Sequence, residues 1–509
     1  MSDRKAVIGI DLGTQSTKAA LVALDGQPIG SHSVAVEFER PQPGWGEQSP
    51  DILVQSTLAC LSALTGKFPD VEIVGLGIAA QMGGAIGIDK NFEAVTPHEM
   101  WLDTRADEDR QELLGLYGPE ILAKNGIIPF VAPRVRRWLR LDPAFAQRLA
   151  IVVAPAGYLA GRLTGAEAKD AVCDRTQANL YGCFDVARNQ WDDDLARRCG
   201  LPPELLPRIA DPFDIAGRLS AEMAARCGLT AGIPVAAGMG DGTGGWFAAG
   251  GIEPGVSIDT SGSSAHFAVT VDRFITDPSG LLACMPSAAP GRFYLLGFTT
   301  STGLAHRWLS RTFGKSYQEL EALSITVPPG SNGILAVPHL NGRVSPFEAS
   351  MKGGFLGFDD KSGPGELYRA LLEASAYELN GWLEAALKLA PGLTLSNVVN
   401  VGGGAQSALW NQIKADVTGL SLHIASPEIN AARGAALAAG IAAGAIDRAS
   451  RDWFAADYLE AQTFTPDAVR HRLYAPYRDS YARLTDQLLP VYRTLQQLRQ
   501  NQRQEKDTP

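Results

Sequence analysis

The sequence predicts an α/β protein of two similar domains that face each other across a ligand cleft. Three observations carry that expectation. Residues 6–11 form a β-branched, apolar run, residues 13–17 a small polar turn and residues 19–24 a second apolar run, and the same strand, turn, strand device recurs over residues 256–271. Between and after the two copies, strand-like and helical segments alternate, as α/β architectures require. Finally, Gly240, Gly242, Gly244 and Gly245 crowd into one flexible segment of the kind expected at a domain junction. This divides the chain into residues 1–246 and 247–509, the last part of which, 446–509, reads as a terminal helical extension and tail.

Taken in order, residues 6–11 and 19–24 pair as a hairpin, Asp25-Gly26 is a two-residue turn, and residues 29–38 add a third strand. An antiparallel meander is not the opening of a Rossmann unit. After Pro50 the spacing predicts a helix to Lys67, then a strand over 71–79 that ends at Gln81-Met82-Gly83-Gly84, a position where α/β sheets carry ligand groups. Farther on come a helix over 366–389, a strand over 397–401, a helix from Ser407 to Thr418 and an Ala-rich helix from Ala431. Residues 474–500 predict a terminal amphipathic helix broken or kinked at Pro490, and residues 501–509 are polar enough for a disordered tail.

Composition narrows the class of function. At 509 residues, with roughly 150 per domain, two large units or about three ordinary ones fit. Hydrophobic residues at 45% and charged residues at 20% exclude wholesale disorder and fibrous repeats. A net charge of −10, from 45 basic and 55 acidic residues, offers no broad attraction for nucleic acid or for an anionic membrane surface. Cys60, Cys173, Cys183, Cys199, Cys227 and Cys284 form no CxxC pair and read as buried free thiols in a reducing compartment. The first residues lack the apolar stretch of a signal peptide, and residues 431–446 are too short and too interrupted to span a bilayer. These features predict a cytoplasmic protein, and the apolar helices late in the chain are compatible with a homodimer.

Asp11-Leu12-Gly13-Thr14-Gln15-Ser16-Thr17-Lys18 joins a carboxylate at a strand end to a turn rich in N–H groups and hydroxyls. Such a turn can cradle phosphate oxygens, with Lys18 adding charge and Asp11 able to hold Mg²⁺ through water; by itself it reads equally as an ordinary hairpin turn. The second copy, Thr260 to Ser264, favours two turns gripping one nucleotide. Asp241, set among glycines, has the placement of a general base for phosphoryl transfer, although an Asp-Gly turn alone looks the same. Trp101, Asp103 and Arg105 alternate and, in an extended segment, share one face suited to a polyol; the same trio also reads as a half-buried Trp beside an ion pair. Gly402-Gly403-Gly404 can admit a flat base, and Ser407 reads as a helix cap. No HExxH metal spacing, GxSxG elbow, GxxxxGK[ST] or GxGxxG after the first strand occurs.

These motifs, in this order, resemble the FGGY carbohydrate kinase family and most nearly its xylulokinases. They are Ile8-Gly9-Ile10-Asp11-Leu12-Gly13-Thr14, Gly44-Trp45-Gly46-Glu47-Gln48, Gln81-Met82, residues 101–105, Gly240-Asp241-Gly242, Asp259-Thr260-Ser261-Gly262-Ser263 and Gly402-Gly403-Gly404. The resemblance implies the two-domain actin and hexokinase type of ATPase fold, with ribonuclease H-like duplicated domains. It implies transfer of the γ-phosphate of ATP to a sugar hydroxyl, with Asp241 as proton acceptor and Mg²⁺ near Asp11 and Asp241. Gly13, Thr14, Ser16, Thr17 and Lys18 would face the transferred phosphate, Gly262 and Ser263 the second phosphate turn, and Gly303, Arg307, Gly403, Gly404 and Ser407 the rest of the nucleotide. Gln81, Met82, Gly83, Trp101, Asp103, Arg105 and Asp241 would meet the sugar.

Typical xylulokinases read Gln-Met-His-Gly where this chain reads Gln81-Met82-Gly83-Gly84, and Trp-Asn-Asp where it reads Trp101-Leu102-Asp103. Both departures fall on the sugar side. The expected function is therefore an ATP-dependent kinase of a ketopentose such as D-xylulose. The alternatives are a kinase of ribulose, a deoxy-sugar, erythritol or glycerol, or a non-catalytic ATP-binding sensor on the same fold.

Overall fold

The computed structural model describes residues 4–142, 144–262, 264–395, 397–448 and 462–507. Strand β1 (Arg4–Leu12) is buried along almost its whole length, which suits its unbroken apolar run to the centre of a sheet. Strand β2 (Ser16–Ala23) returns antiparallel to it with Lys18 opposite Asp11, and β3 (Pro28–Ala35) extends the meander. Helix α1 (Pro50–Lys67) starts with a proline whose missing N–H has no partner to lose at that position, and its Leu53, Leu61 and Leu64 share a buried cluster with Ile8, Ile10 and Leu12. Each such side chain contributes about 1.5–3 kcal/mol on burial. Strand β4 (Val71–Ala80) lies parallel to β1.

Strands β5 (Ile215–Arg218), β6 (Pro234–Ala236) and β7 (Met239–Gly240) complete the first sheet, whose order is β5–β6–β4–β1–β2–β3, with β7 also on β4. Helix α2 (Asp241–Ala248) leads out of it. A second sheet then forms from β8 (Ser257–Ser261), β9 (Ala265–Val271), β10 (Ala283–Pro286), β11 (Phe293–Thr299), β12 (Asn397–Val401), β13 (Ser421–Ile424) and β14 (Thr463–Phe464), in the order β10–β11–β9–β8–β12–β13–β14. In each sheet the opening strand has an antiparallel partner on one side, β2 or β9, and a parallel partner on the other, β4 or β12. The duplication legible in the two turns is thus a duplication of topology.

Helix α3 (Thr302–Phe313) packs against α4 (Pro364–Leu389), and α4 and α5 (Ala408–Thr418) cover the second sheet, with Trp382 of α4 stacked on Phe267. Helix α6 (Ala431–Ala442) follows in sequence but packs on the first sheet. That seat needs bare backbone: a Cβ on Gly9 would lie 1.8 Å from the Ala432 carbonyl oxygen, and one on Gly77 1.9 Å from that of Ala435. Helix α2 crosses α6 where Gly244 meets Gly434, so both connecting helices run between the sheets. Among the described residues no helix is long and apolar enough to cross a membrane.

Three expectations are corrected. The glycine-rich segment at 240–245 is not a flexible junction but the entry to helix α2; glycine costs about 1 kcal/mol per residue there, offset by the close crossing with α6 and by burial of Trp246 and Phe247. The terminal helix α7 (Ala468–Asp507) is not broken at Pro490 and does not give way to a tail at Asn501. Its Tyr474 and Tyr481 are buried and donate hydrogen bonds to Glu373 and Glu378 of α4, and the polar run after Gln500 consists mostly of good helix formers. The last two residues of the expected tail lie outside the described residues. Finally, residues 101–105 are not extended; they form a turn, for reasons given next.

Candidate active site

Between the two sheets lies a cavity of about 300 Å³, and its walls come from both halves of the chain. Thr14 of the first polar turn and Ser264 of the second both line it, together with Met82, Gly83, Trp101 and Asp241. The first turn is closed by the Gly13 N–H donating to the Ser16 carbonyl at 3.0 Å. An indole holds each turn from the side: Trp101 Nε1–H donates to Thr14 Oγ1 at 3.3 Å, and Trp246 Nε1–H to Thr260 Oγ1 at 3.2 Å. Trp246 belongs to the helix that Asp241 begins, so the second turn is tied directly to the carboxylate's own element. Ser263 lies outside the described residues, and Gly262 donates its N–H to the Ser264 carbonyl.

Asp241 is the first residue of α2, where the helix N-terminus favours a negative charge and the Gly242 N–H donates to its Oδ1 at 2.7 Å. Burial outweighs these effects and pushes its carboxyl up to about 6. Met82 packs on Gly240, just before it, with its Sδ 2.4 Å from where a Cβ would be. Asp11 is pushed up to about 7, first by burial and then by the Asp241 carboxylate, while Lys18 opposes the shift. Its Oδ1 is buried without a hydrogen-bond partner. Two close carboxylates with an unsatisfied oxygen suit a hard divalent cation. Among the described residues no cluster of three or more His, Cys, Asp or Glu could hold a metal unaided, so such an ion would need oxygens from phosphate and water as well.

The other expected residues divide. Thr17 does not face the turn's ligand side: its side chain is fully buried beneath the sheet and its hydroxyl pairs with Ser56 Oγ at 2.7 Å. Lys18 borders a separate cavity with Asn430 and Arg433 while its charge acts on Asp11. Gln81 is buried and off the cavity wall; its amide donates to Gln48 Oε1 at 2.9 Å, and Gln48 in turn donates to the Thr14 carbonyl at 3.3 Å, so Gln81 braces the first turn. Asp103 and Arg105 also leave the wall. The Asp103 carboxylate accepts from the Gly46 N–H at 2.8 Å and from Arg105, whose guanidinium also reaches Glu47 at 2.8 Å and lies 4.0 Å over the Trp45 ring. That network bends residues 101–105 into a turn and leaves only Trp101 at the cavity.

Of the residues expected to meet the nucleotide, Gly303 and Arg307 lie on α3, which starts two residues after the cavity-lining Thr300. Gly402 and Gly404 press on Ser261, where a Cβ on Gly404 would come 2.6 Å from the Ser261 Cβ; Gly403 faces open space. Ser407 caps α5, accepting the Trp410 N–H. Sequence reasoning missed Gln48, Trp246 and Lys414. Gln48 stood in a quoted motif without a role, and Lys414 gave no signal, since a lysine in an amphipathic helix ordinarily faces water.

Comparison with known proteins agrees with this arrangement. The model of the FGGY family of carbohydrate kinases, N-terminal domain, matches residues 6–248, and that of the C-terminal domain matches residues 256–443. The chain is 30% identical to the xylulose kinase of Escherichia coli K12 over 95% of its own length and 99% of the relative's. It is 25% identical to the gluconokinase of Bacillus subtilis 168, over 97% of this chain and 96% of that one. The solved xylulose kinase of Rhodospirillum rubrum superposes with a TM-score of 0.88 at 27% identity, over 96% of this chain and 100% of that one.

Proposed function

This chain belongs to the FGGY family of carbohydrate kinases, and from that premise we propose that it transfers the γ-phosphate of ATP to a hydroxyl of a small neutral ketose, with D-xylulose as the first candidate. The observation that carries the reading is the convergence of Thr14, Ser264 and Asp241 on one cavity. Asp241 takes the proton of the attacking hydroxyl. The alkoxide oxygen bonds to the γ-phosphorus as the bond to the β–γ bridging oxygen breaks, and ADP leaves with that electron pair. N–H groups and hydroxyls of the two turns hold the phosphates on either side. Asp11, with Asp241 nearby, would hold Mg²⁺, which would supply charge neutralisation for the triphosphate. Gly403, Gly404, Ser407, Gly303 and Arg307 are proposed for the adenosine end. We also propose the division of the chain near residue 246, inside helix α2, and a cytoplasmic setting, which six buried free thiols support.

The cavity's electrostatics favour a neutral acceptor. No lysine or arginine is among its described lining residues, and His266 is held down to about 4 by burial, leaving it uncharged at neutral pH. An aldonate carboxylate would meet Asp241 with no lysine or arginine on the described wall to pair with it. The test is ADP release with Mg²⁺ and ATP against D-xylulose, D-ribulose, D-gluconate, erythritol and glycerol. D-xylulose is expected to give the highest kcat/KM and D-gluconate none. Tight ATP binding with no ADP release for any acceptor would replace the kinase by the sensor. In Asp241→Asn, ATP binding is expected to persist while kcat falls about 10²–10⁴-fold; near-normal turnover would remove Asp241 from the role of base.

A further inference from the structure

From a buried ion pair beneath the second phosphate turn, we infer that Lys414 is a positioning residue for nucleotide binding, acting through Asp259 and Ser261; this rests on the kinase reading above. Lys414 is only 2% exposed, and its ammonium donates to the Asp259 carboxylate and the Ser261 hydroxyl. Ser261 Oγ also bonds Asp259 Oδ2 at 3.0 Å, and the ammonium lies 4.0 Å from the Trp410 ring centroid. Asp259 and Ser261 are at the end of β8, directly before the turn that carries Ser264 to the cavity.

From the other side, bare backbone closes on the same residue. A Cβ on Gly402 would lie 2.8 Å from the Ser261 carbonyl oxygen, and one on Gly404 2.6 Å from the Ser261 Cβ. Ser261 is therefore gripped between the Gly402–Gly404 turn and the ammonium. Both belong to one structural unit, because that turn runs straight into α5, whose cap is Ser407 and which carries Lys414. One rigid helix thus sets the spacing between the two nucleotide-facing segments.

Stability alone gives a poor account of this lysine. A buried ion pair is often matched or bettered by apolar residues of similar volume, because desolvation consumes the Coulombic gain. A fully satisfied polar cluster does instead fix one geometry where looser packing would allow several. At a turn whose N–H groups must meet phosphate oxygens, that geometry decides affinity.

The experiment measures KM for ATP and for the sugar, with melting temperature, in Lys414→Met, in the charge-free double variant Lys414→Met/Asp259→Asn, and in Ser261→Ala. The double variant avoids leaving Asp259 buried without its partner, and Ser261→Ala keeps the pair while removing only its contact with the turn. In the double variant and in Ser261→Ala the expected result is a rise of about tenfold in KM for ATP, with KM for the sugar within about twofold and melting near wild type. Wild-type KM for ATP in both variants would overturn the inference, as would equal rises in both KM values accompanied by a drop in melting temperature. ADP release by the wild type is read first, since its absence with every sugar would overturn the kinase reading itself and this inference with it.

Discussion

Two carboxyl groups at the cavity are held above their ordinary range, and in the proposed mechanism the same shifts tie activity to stability. Asp11 and Asp241 bind a proton more tightly in the folded chain, at about 7 and about 6, than in the unfolded chain, at about 4. Each therefore favours the fold while protonated, and that contribution is lost as pH rises from the unfolded value through the folded one. Ionisation over the same interval is what the proposed role of Asp241 as base requires. We expect kcat/KM for the sugar to climb between about pH 5 and 7. His98, His266 and His306, held down by burial to about 3, 4 and 4, act the other way and favour the fold as pH rises through the same interval, so the carboxyl contribution is read as a difference between variants. Relative to wild type, Asp11→Asn should gain melting temperature as pH rises from about 5 to 7, and should lower activity. Calorimetry of the two ligand-free proteins across that interval checks this, and a constant difference would contradict the raised carboxyl of Asp11.

At the scale of elements, the unusual feature is a helix whose seat is made of missing side chains. Gly9 and Gly77 let α6 approach β1 and β4 until helix carbonyls occupy the space a Cβ would take. Gly77→Ala should destabilise the protein by about 1–3 kcal/mol, since α6 must move bodily to admit one methyl group. Gly66→Ala, an exposed position in α1 with nothing within 4 Å of the added Cβ, should instead stabilise by about 0.5–1 kcal/mol. Thermal or denaturant unfolding of the two variants compares them directly. Equal effects would mean that the close packing of α6 contributes nothing. Because α6 also crosses α2 at Gly244 and Gly434, displacing it should carry Asp241 along, so Gly77→Ala should lower kcat as well as stability.

For the whole molecule, the cavity walls belong to two sheets joined through α2 and α6, which is the geometry of a cleft that closes on its ligands. Sugar together with a non-hydrolysable ATP analogue should reduce the radius of gyration in X-ray scattering and stabilise the protein by about 5 kcal/mol, about 2.7 kcal/mol from each ligand at a hundredfold excess over its own Kd. Stabilisation without compaction would indicate a preformed site. Much of this was legible beforehand. The paired turns, the antiparallel meander and the strand leading to Met82 are local patterns, and Asp11, Thr14, Met82, Trp101 and Asp241 were named on chemistry that neighbouring residues supply. What sequence alone determined was the duplication, because turn chemistry and hydrophobic period act over a few positions, and the reaction type, through the ordered motifs that resemble the family. Only the tertiary structure decided that Gln81, Asp103 and Arg105 brace the site from outside its wall, that Thr17 points into the core, and that glycines at 240–245 form a helix. Those outcomes depend on partners such as Gln48, Gly46, Ser56 and Gly434, which are distant along the chain and meet these residues only once the sheets have packed.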